Sequence, residues 1–328
     1  MTGSGASVRN VTDEQPPPGS EDPDAPAQSI DRARRLAEHL RSIAAETGAE
    51  TGRPTVMVLA FEGWNDAGGA ASSAVRSVAH ALGADLVEKV TDEEYYDFQF
   101  SRPKIVNNAG HREIVWPATT ILRASPPAAD FDLLFVHGVE PSFRWQAYTA
   151  DLLTRAAEHE VAAVVLVGAL LADVPHTRPI PAAFSSEDLQ LRQVLDIEEP
   201  TYEGPVGIVG LLAHTAHQAG VPSISLWAAV PHYVGQAPSP KAQLALMRRL
   251  EELLGLALDP AEAEEVAEDA AAWERGVDDL AEDDGEIADY VKRLEEATDT
   301  TNLPEASGDA IAEEFERYLR RRRRPPER

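Results

Sequence analysis

The chain has 328 residues, with 29 basic and 56 acidic side chains, a formal net charge of -27 and no cysteine. A surface of this charge repels phosphate groups, so we expect neither nucleic acid nor an anionic membrane as a partner. The lack of thiols excludes disulfides, thiolate metal sites and a cysteine nucleophile, and together with the lack of an apolar N-terminal signal region it points to the cytoplasm.

The first predicted element is a helix over residues 31–47, where apolar residues recur every third or fourth position. Residues 55–61 are apolar on both faces, which is typical of a buried strand. A second helix follows directly, with Asn65 and Asp66 as candidate caps. Its inner face is mostly alanine, so we expect this helix to lie close against a sheet.

A hairpin is predicted next in the chain. Residues 105–106 and 112–116 favour strands, and the Asn-Asn-Ala-Gly segment between them is typical of a turn. Possible strands at residues 86–90 and 119–123 flank this hairpin.

The middle of the chain predicts a parallel sheet. Residues 132–137 and 161–167 are apolar strands on either side of an amphipathic helix, which is the pattern of a βαβ unit covered on both faces. A helix at 207–219, a strand at 223–230 and a helix after Pro240 repeat the pattern. We therefore predict a three-layer α/β sandwich with a mixed, mostly parallel sheet.

The C-terminal part of the chain is the acidic part. Residues 251–317 carry 24 acidic and 4 basic side chains, whereas residues 51–250 carry 22 and 14. Apolar residues spaced four and three apart predict a packing seam on a helix, and Gly285 interrupts it. The seam consists of Val266, Ala270, Trp273, Val277 and Leu280, and it resumes at Ile287, Val291 and Leu294.

A last helix is predicted from Ser307 or Asp309 to Leu319, and five arginines follow at residues 320–324. Cations at a helix C-terminus complement its dipole, so we expect this tail to fold onto the acidic helices rather than to bind nucleic acid. Such polar helices need a surface to dock on. We expect a disordered N-terminus at residues 1–28, an α/β core domain at 29–255 and an acidic helical extension at 256–328.

Polar side chains follow four of the predicted strands, where ligands bind in open α/β sheets. We expect them to form one rim with enough carboxylate and imidazole groups for acid/base chemistry. The candidate catalytic residues are Glu62, Asp66, His137, Glu140, Asp173, His176 and Arg178. Candidate ligand-binding residues are Glu62, Asn65, Asp66, Gly68, His137, Glu140, His176 and His232. The alternative is that Asn65 and Asp66 only cap a helix and that the others are ordinary loop residues.

Two weaker motifs accompany the main candidate residues of the rim. The loop at Gly68 and Gly69 can offer backbone N–H groups to an anion at a helix N-terminus, or it can simply allow close packing. His214 and His217 lie on one helical face, but no third ligand is near them in the sequence. We therefore predict no metal site and no cofactor, and a metal-dependent hydrolase is the least supported hypothesis.

Four segments in order give the chain a family resemblance. They are VLAFEGWNDAG at residues 58–68, FVHGVEPS at 135–142, GALLADVPHTRP at 168–179 and SLWAAVPHY at 225–233. Together with LPEASGD at 303–309 and FERYL at 315–319, they resemble the proteasome assembly chaperone 2 family in its bacterial, actinobacterial-like form. The resemblance covers residues 54–322 approximately.

This resemblance implies an α/β fold similar to that of purine nucleoside phosphorylases, and a homo-oligomer, with a trimer as the expected form. It assigns no catalytic residue. The leading hypothesis is a chaperone-like, non-enzymatic scaffold that binds proteins, with proteasome components as candidate partners. The alternative is a nucleoside phosphorylase-like enzyme or a small-ligand binder that uses the rim.

Overall fold

The structure, a computed structural model, describes residues 25–47, 52–108, 110–127, 129–236 and 238–301. The last predicted helix, the arginine tail and most of the predicted disordered N-terminus lie outside the described residues. Among the described residues, no helix combines the length and apolar character that crossing a bilayer requires.

The described elements follow the predicted order closely. The helices are α1 (Ala25–Thr47), α2 (Ala70–Ala81), α3 (Trp145–Glu158), α4 (Leu189–Leu195), α5 (Ile208–Gln218), α6 (Pro240–Leu254), α7 (Pro260–Asp283) and α8 (Gly285–Thr301). The strands are β1 (Thr55–Glu62), β2 (Asp85–Val90), β3 (Lys104–Asn108), β4 (His111–Val115), β5 (Thr119–Ala124), β6 (Asp132–Val139), β7 (Val161–Ala172), β8 (Ala182–Ser185) and β9 (Ser223–Pro231). The short elements β8 and α4 were not predicted.

Seven strands form one sheet in the order β2-β5-β6-β1-β7-β9-β8. The central strands β6, β1, β7 and β9 are parallel, while β5 and β8 run against their neighbours. The predicted mixed, mostly parallel sheet is therefore confirmed. The hairpin of β3 and β4 is a separate two-stranded sheet.

Alternate residues of the central strands face two separate cores. Val56, Val58 and Ala60 of β1 pack with α1, α2 and α6, and Met57, Leu59 and Phe61 pack with α3 and α5. All six side chains are buried. Burial on both faces explains why β1 is continuously apolar, and it gives the three layers that the sequence predicted.

The acidic helices dock on this body through the predicted seam. The seam residues Ala270 and Val277 of α7 are buried, as are Val291 and Leu294 of α8, and Ala281, which was not predicted, is buried beside them. The seam prediction was wrong at Leu280, which is 49% exposed.

Candidate functional site

Asp66 lies after β1 and caps helix α2. Its Oδ1 accepts hydrogen bonds from the backbone N–H groups of Ala71 at 2.8 Å and Ser72 at 3.1 Å. Burial raises the pKa of Asp66 above its ordinary value, although these hydrogen bonds oppose the increase. The carboxylate occupies the N-terminus of α2, which is where an anion on the Gly68–Gly69 loop would have to bind.

Gly68 itself has a structural role. Its φ of +61° lies in the left-handed region, which suits glycine. Its carbonyl oxygen accepts a hydrogen bond from the N–H of Ser239 at 2.9 Å, just before α6. The loop therefore joins the starts of two helices that cover the same face of the sheet.

Glu140 connects three segments of the chain. Its Oε1 accepts from the N–H of Ile208, the first residue of α5, at 2.8 Å, and its Oε2 accepts from the N–H of Trp64 at 3.3 Å. A carboxylate at this position stabilises the N-terminus of α5. Asn65 is buried nearby, and its Oδ1 lies so close to Gly207 that a Cβ there would approach to 1.9 Å.

Glu62 and His137 lie at the ends of neighbouring strands beside Arg76 of α2. Arg76 donates to Glu62 at 2.9 Å. The pKa of His137 is lowered, mainly by burial and further by the positive charge of Arg76, while Glu62 acts in the opposite direction. Arg76 was not predicted, because on a helix face it reads as an ordinary solvent-exposed residue.

The remaining rim residues belong to a second group, under the acidic helices. His176 is 1% exposed, and its Nδ1 lies 2.7 Å from the hydroxyl of Tyr233. Its Nε2 lies 3.0 Å from Oδ1 of Asp278 in α7. Both ring nitrogens thus have partners inside the protein, and burial raises the pKa of Tyr233.

Helix α8 supplies the other partners of this group. Tyr290 donates its hydroxyl hydrogen to Asp173 at 2.8 Å, and Nδ1 of His232 lies 3.3 Å from the same carboxylate oxygen. Arg178 makes two hydrogen bonds to Asp299, at 2.9 and 2.7 Å, and a third to Glu295 at 3.2 Å.

The expected single rim is therefore divided. Glu62, Asp66 and Glu140 bind partners in the body, with Asn65 and His137 beside them, whereas Asp173, His176, Arg178 and His232 contact the acidic helices or the residues beside them. Sequence reasoning missed Tyr290, Asp278 and Asp299, since a helical pattern does not show which loop a polar side chain will meet.

The two candidate metal-binding histidines do not form part of a larger cluster. Nδ1 of His214 lies 3.1 Å from Glu187, and its Nε2 lies 2.9 Å from the amide of Gln218. Across the part of the chain that the structure describes, no group of three or more His, Asp or Glu side chains is placed to hold a metal ion.

A cavity of about 390 Å³ was not predicted from the sequence. It lies between β7, β8 and β9 on one side and α5 with the preceding loop on the other, and Trp64, Asn65, Ser225 and Trp227 are among its lining residues. Of the predicted ligand-binding residues, Asn65 lines it. Gly168 makes room for Trp227, because a Cβ at residue 168 would lie 2.4 Å from the indole ring.

Comparison with known proteins identifies the family. Residues 60–281 match the sequence model of the PAC2 family. The crystal structure of a PAC2 family protein from Streptomyces avermitilis is 47% identical, with a TM-score of 0.65, and the alignment covers 72% of this chain and 99% of that one. A proteasome-assembly chaperone homologue from Mycobacterium tuberculosis is 41% identical, with a TM-score of 0.64 and the same coverage.

More distant relatives share the fold alone. An archaeal homologue of a proteasome-assembly chaperone from Pyrococcus furiosus is 16% identical, with a TM-score of 0.51 over 75% of this chain and 95% of that one. A comparison with curated proteins finds no match. The strand-end segments, the seven-stranded sheet and the two actinobacterial relatives agree, and the chain belongs to the PAC2 family.

Proposed function

We propose that this protein is a chaperone-like, non-enzymatic scaffold that acts in the cytoplasm, forms a homotrimer and binds proteins, proteasome components among them. Its relative from Mycobacterium tuberculosis is described as a proteasome-assembly chaperone homologue. The contacts of the rim support a structural role, because its carboxylates cap helices or bind residues of the same chain. The hairpin of β3 and β4 is the observation that carries the proposal.

This hairpin exposes an unusual amount of apolar surface. We define the hairpin surface as Phe100, Ile105, Ile114, Val115 and Trp116, whose exposed fractions are 91%, 61%, 58%, 44% and 49%. Ile105 and Ile114 are paired across the two strands on one face, whereas Val115 is paired with Lys104 on the other. Exposed apolar side chains on a soluble domain mark protein interaction sites, and tryptophan is enriched among the residues that contribute most to binding.

A second copy of this chain is the occupant that we propose for the hairpin surface. The hairpin carries Lys104 and Arg112 with one acidic residue, Glu113, whereas residues 260–301 carry 16 acidic and 3 basic side chains. The hairpin of one subunit and the acidic helices of the next are therefore complementary in charge. A contact between two different surfaces of the same chain can close a ring, as a trimer requires.

Analytical ultracentrifugation tests the self-association. We expect a trimer for the wild type, and a shift to monomer for Ile114→Asp, which places a charge in the hairpin surface. Leu189→Asp is the matched control, because Leu189 is also an exposed apolar residue, at 57%, but lies on α4. A wild-type monomer, or a trimer that persists in Ile114→Asp, would reject this interface.

Purified components test the role in proteasome assembly. The α and β subunits of the host proteasome are mixed separately with this protein, and complexes are separated by size-exclusion chromatography with light scattering. We expect a stoichiometric complex with one of the two subunits. If neither subunit binds, the proteasome part of the proposal fails. Phosphate-dependent cleavage of nucleosides by the pure protein would contradict its non-enzymatic character.

A further inference from the structure

The cavity beside Trp227 has the size of a small-molecule site. Its volume is about 390 Å³, within the range of about 300 to 1,000 Å³ that is usual for ligand pockets. Its wall is formed by the strands β7, β8 and β9, by Gly210 and Ala213 of α5, and by residues 199–207. The strands and the helix supply eight of the nineteen lining residues, and the segments between these elements supply the other eleven.

Aromatic side chains give the cavity a preference for flat ligands. Trp227 lies in the sheet, where the missing side chain of Gly168 leaves space for its indole ring. Trp64 also lines the cavity and is 50% exposed. Tryptophan binds planar groups by stacking and binds cations through the face of its ring.

One polar group of the wall is left without a protein partner. Oδ1 of Asn65 is buried and makes no hydrogen bond with any residue that the structure describes. Two of the lining serines, in contrast to Asn65, have protein partners. Ser186 donates to the carbonyl of Ser223 at 2.6 Å, and Ser223 donates to the carbonyl of Ala213 at 3.2 Å. The Oδ1 acceptor of Asn65 has almost no surface open to the cavity and lies against Gly207, so it costs free energy in the fold and does not contact a ligand.

The charges around the cavity disfavour anions. Among the described residues that line it, the charged ones are Glu187 and Glu199, and no lysine, arginine or histidine is present. Each carboxylate already has a cationic or imidazole partner, with Glu187 3.1 Å from His214 and Glu199 3.2 Å from Arg192. A phosphate or carboxylate ligand would therefore lie beside carboxylates that already occupy these partners, and it would find no lysine, arginine or histidine among the described lining residues.

We propose that this cavity binds a planar aromatic molecule that is neutral or positively charged. The site is separate from the acidic and histidine groups of the rim, and it does not depend on the scaffold function proposed above. It adds a binding site for a metabolite-sized ligand to a protein that also binds proteins.

Three probes with one ring system and different charges test the proposal: indole, tryptamine and indole-3-acetate. Isothermal titration calorimetry gives the affinity of each for the full chain. We expect tryptamine to bind at least tenfold more tightly than indole-3-acetate, with indole between the two. Equal or tighter binding of the acid would overturn the charge argument. If neither indole, tryptamine nor a panel of other neutral and cationic bicyclic aromatic compounds binds, the site itself is rejected.

Substitutions in the wall locate the binding. Ala213→Phe fills the cavity and is expected to abolish tryptamine binding, whereas Ala219→Phe, an exposed position at the end of the same helix, leaves it unchanged. If Ala213→Phe does not fold, Gly210→Leu is the alternative variant, because residue 210 lies one turn earlier in α5 and lines the same cavity. Unchanged affinity in folded variants whose cavity is filled would place the ligand elsewhere.

Discussion

Tyr290 donates a hydrogen bond to Asp173 over 2.8 Å, which joins the acidic helix α8 to the loop at the end of β7. The carboxylate is buried, with a side-chain exposure of 2%. This contact and the His176–Asp278 pair hold two negatively charged helices against the body. Helices α7 and α8 therefore form a layer over part of the sheet edge.

Tyr290→Phe tests the importance of this contact. The substitution removes the hydroxyl group and takes one donor from a buried carboxylate, so we expect a loss of about 1 to 3 kcal/mol in the free energy of unfolding. Amide hydrogen exchange is expected to rise mainly in α7 and α8. Tyr202→Phe is the control, because its hydroxyl donates to Pro205 at an exposed position. Equal effects of the two substitutions would contradict a special role for Tyr290.

Two substitutions separate the cap made by Asp66 from its charge. Asp66→Ala removes the acceptor of two backbone N–H groups and is expected to cost about 1 to 2 kcal/mol of stability. Asp66→Asn keeps an acceptor and has no buried charge, so its loss is expected to be smaller. Chemical denaturation at neutral pH measures both. If Asp66→Asn is as damaging as Asp66→Ala, the negative charge rather than the hydrogen bonds stabilises α2.

The pKa of Asp66 also gives a dependence on pH. Because burial raises this pKa, the folded chain holds the proton more tightly than the unfolded chain. The contribution of Asp66 to the free energy of unfolding therefore decreases as pH rises from about 3.9, the ordinary pKa of an aspartate, through the higher pKa of Asp66 in the folded chain. This pH-dependent contribution to stability is expected to be absent in Asp66→Asn. Denaturation curves of the two proteins across acidic pH measure the difference, and parallel stability profiles would contradict it.

His137 is expected to titrate below its ordinary pKa. Its protonated form is disfavoured by burial and by Arg76, so the unfolded chain binds more protons and stability falls as pH drops below about 6.5. Arg76→Gln removes the positive charge and is expected to raise the pKa of His137. Titration of the imidazole by NMR measures this change. A His137 pKa at or above the ordinary value, or one that Arg76→Gln leaves unaltered, would contradict the proposed cause.

Gly168→Ala tests the packing under Trp227. A methyl group at residue 168 meets the indole ring at 2.4 Å, and neither a rigid ring nor a central strand can move far. We expect a loss of about 1 to 3 kcal/mol, which is typical of overpacking. Gly210→Ala is the control, since its nearest neighbour is Val206 at 3.3 Å in more open surroundings. Unchanged stability in Gly168→Ala would show that Trp227 has room to move.

Hydrophobic patterning by itself determined most of the fold. The strands β1, β6, β7 and β9 and the helices between them are visible in the sequence because burial on both faces of a parallel sheet requires continuous apolar strands and one-sided helices. The two short elements β8 and α4 were missed, since four and seven residues carry too little periodicity. The family was also evident from the segments at the strand ends.

Only the tertiary structure decided how the polar residues are used. Glu140 reaches the start of α5, which is 68 residues away in the chain, and Arg178 reaches Asp299, 121 residues away. Such pairings depend on which loops and helices the packing brings together, and local sequence patterns carry no information about them. The cavity has the same origin, because its wall combines segments from residue 64 to residue 227. The sequence determined which segments are apolar and which are charged, and the packing of the sheet determined which of them meet.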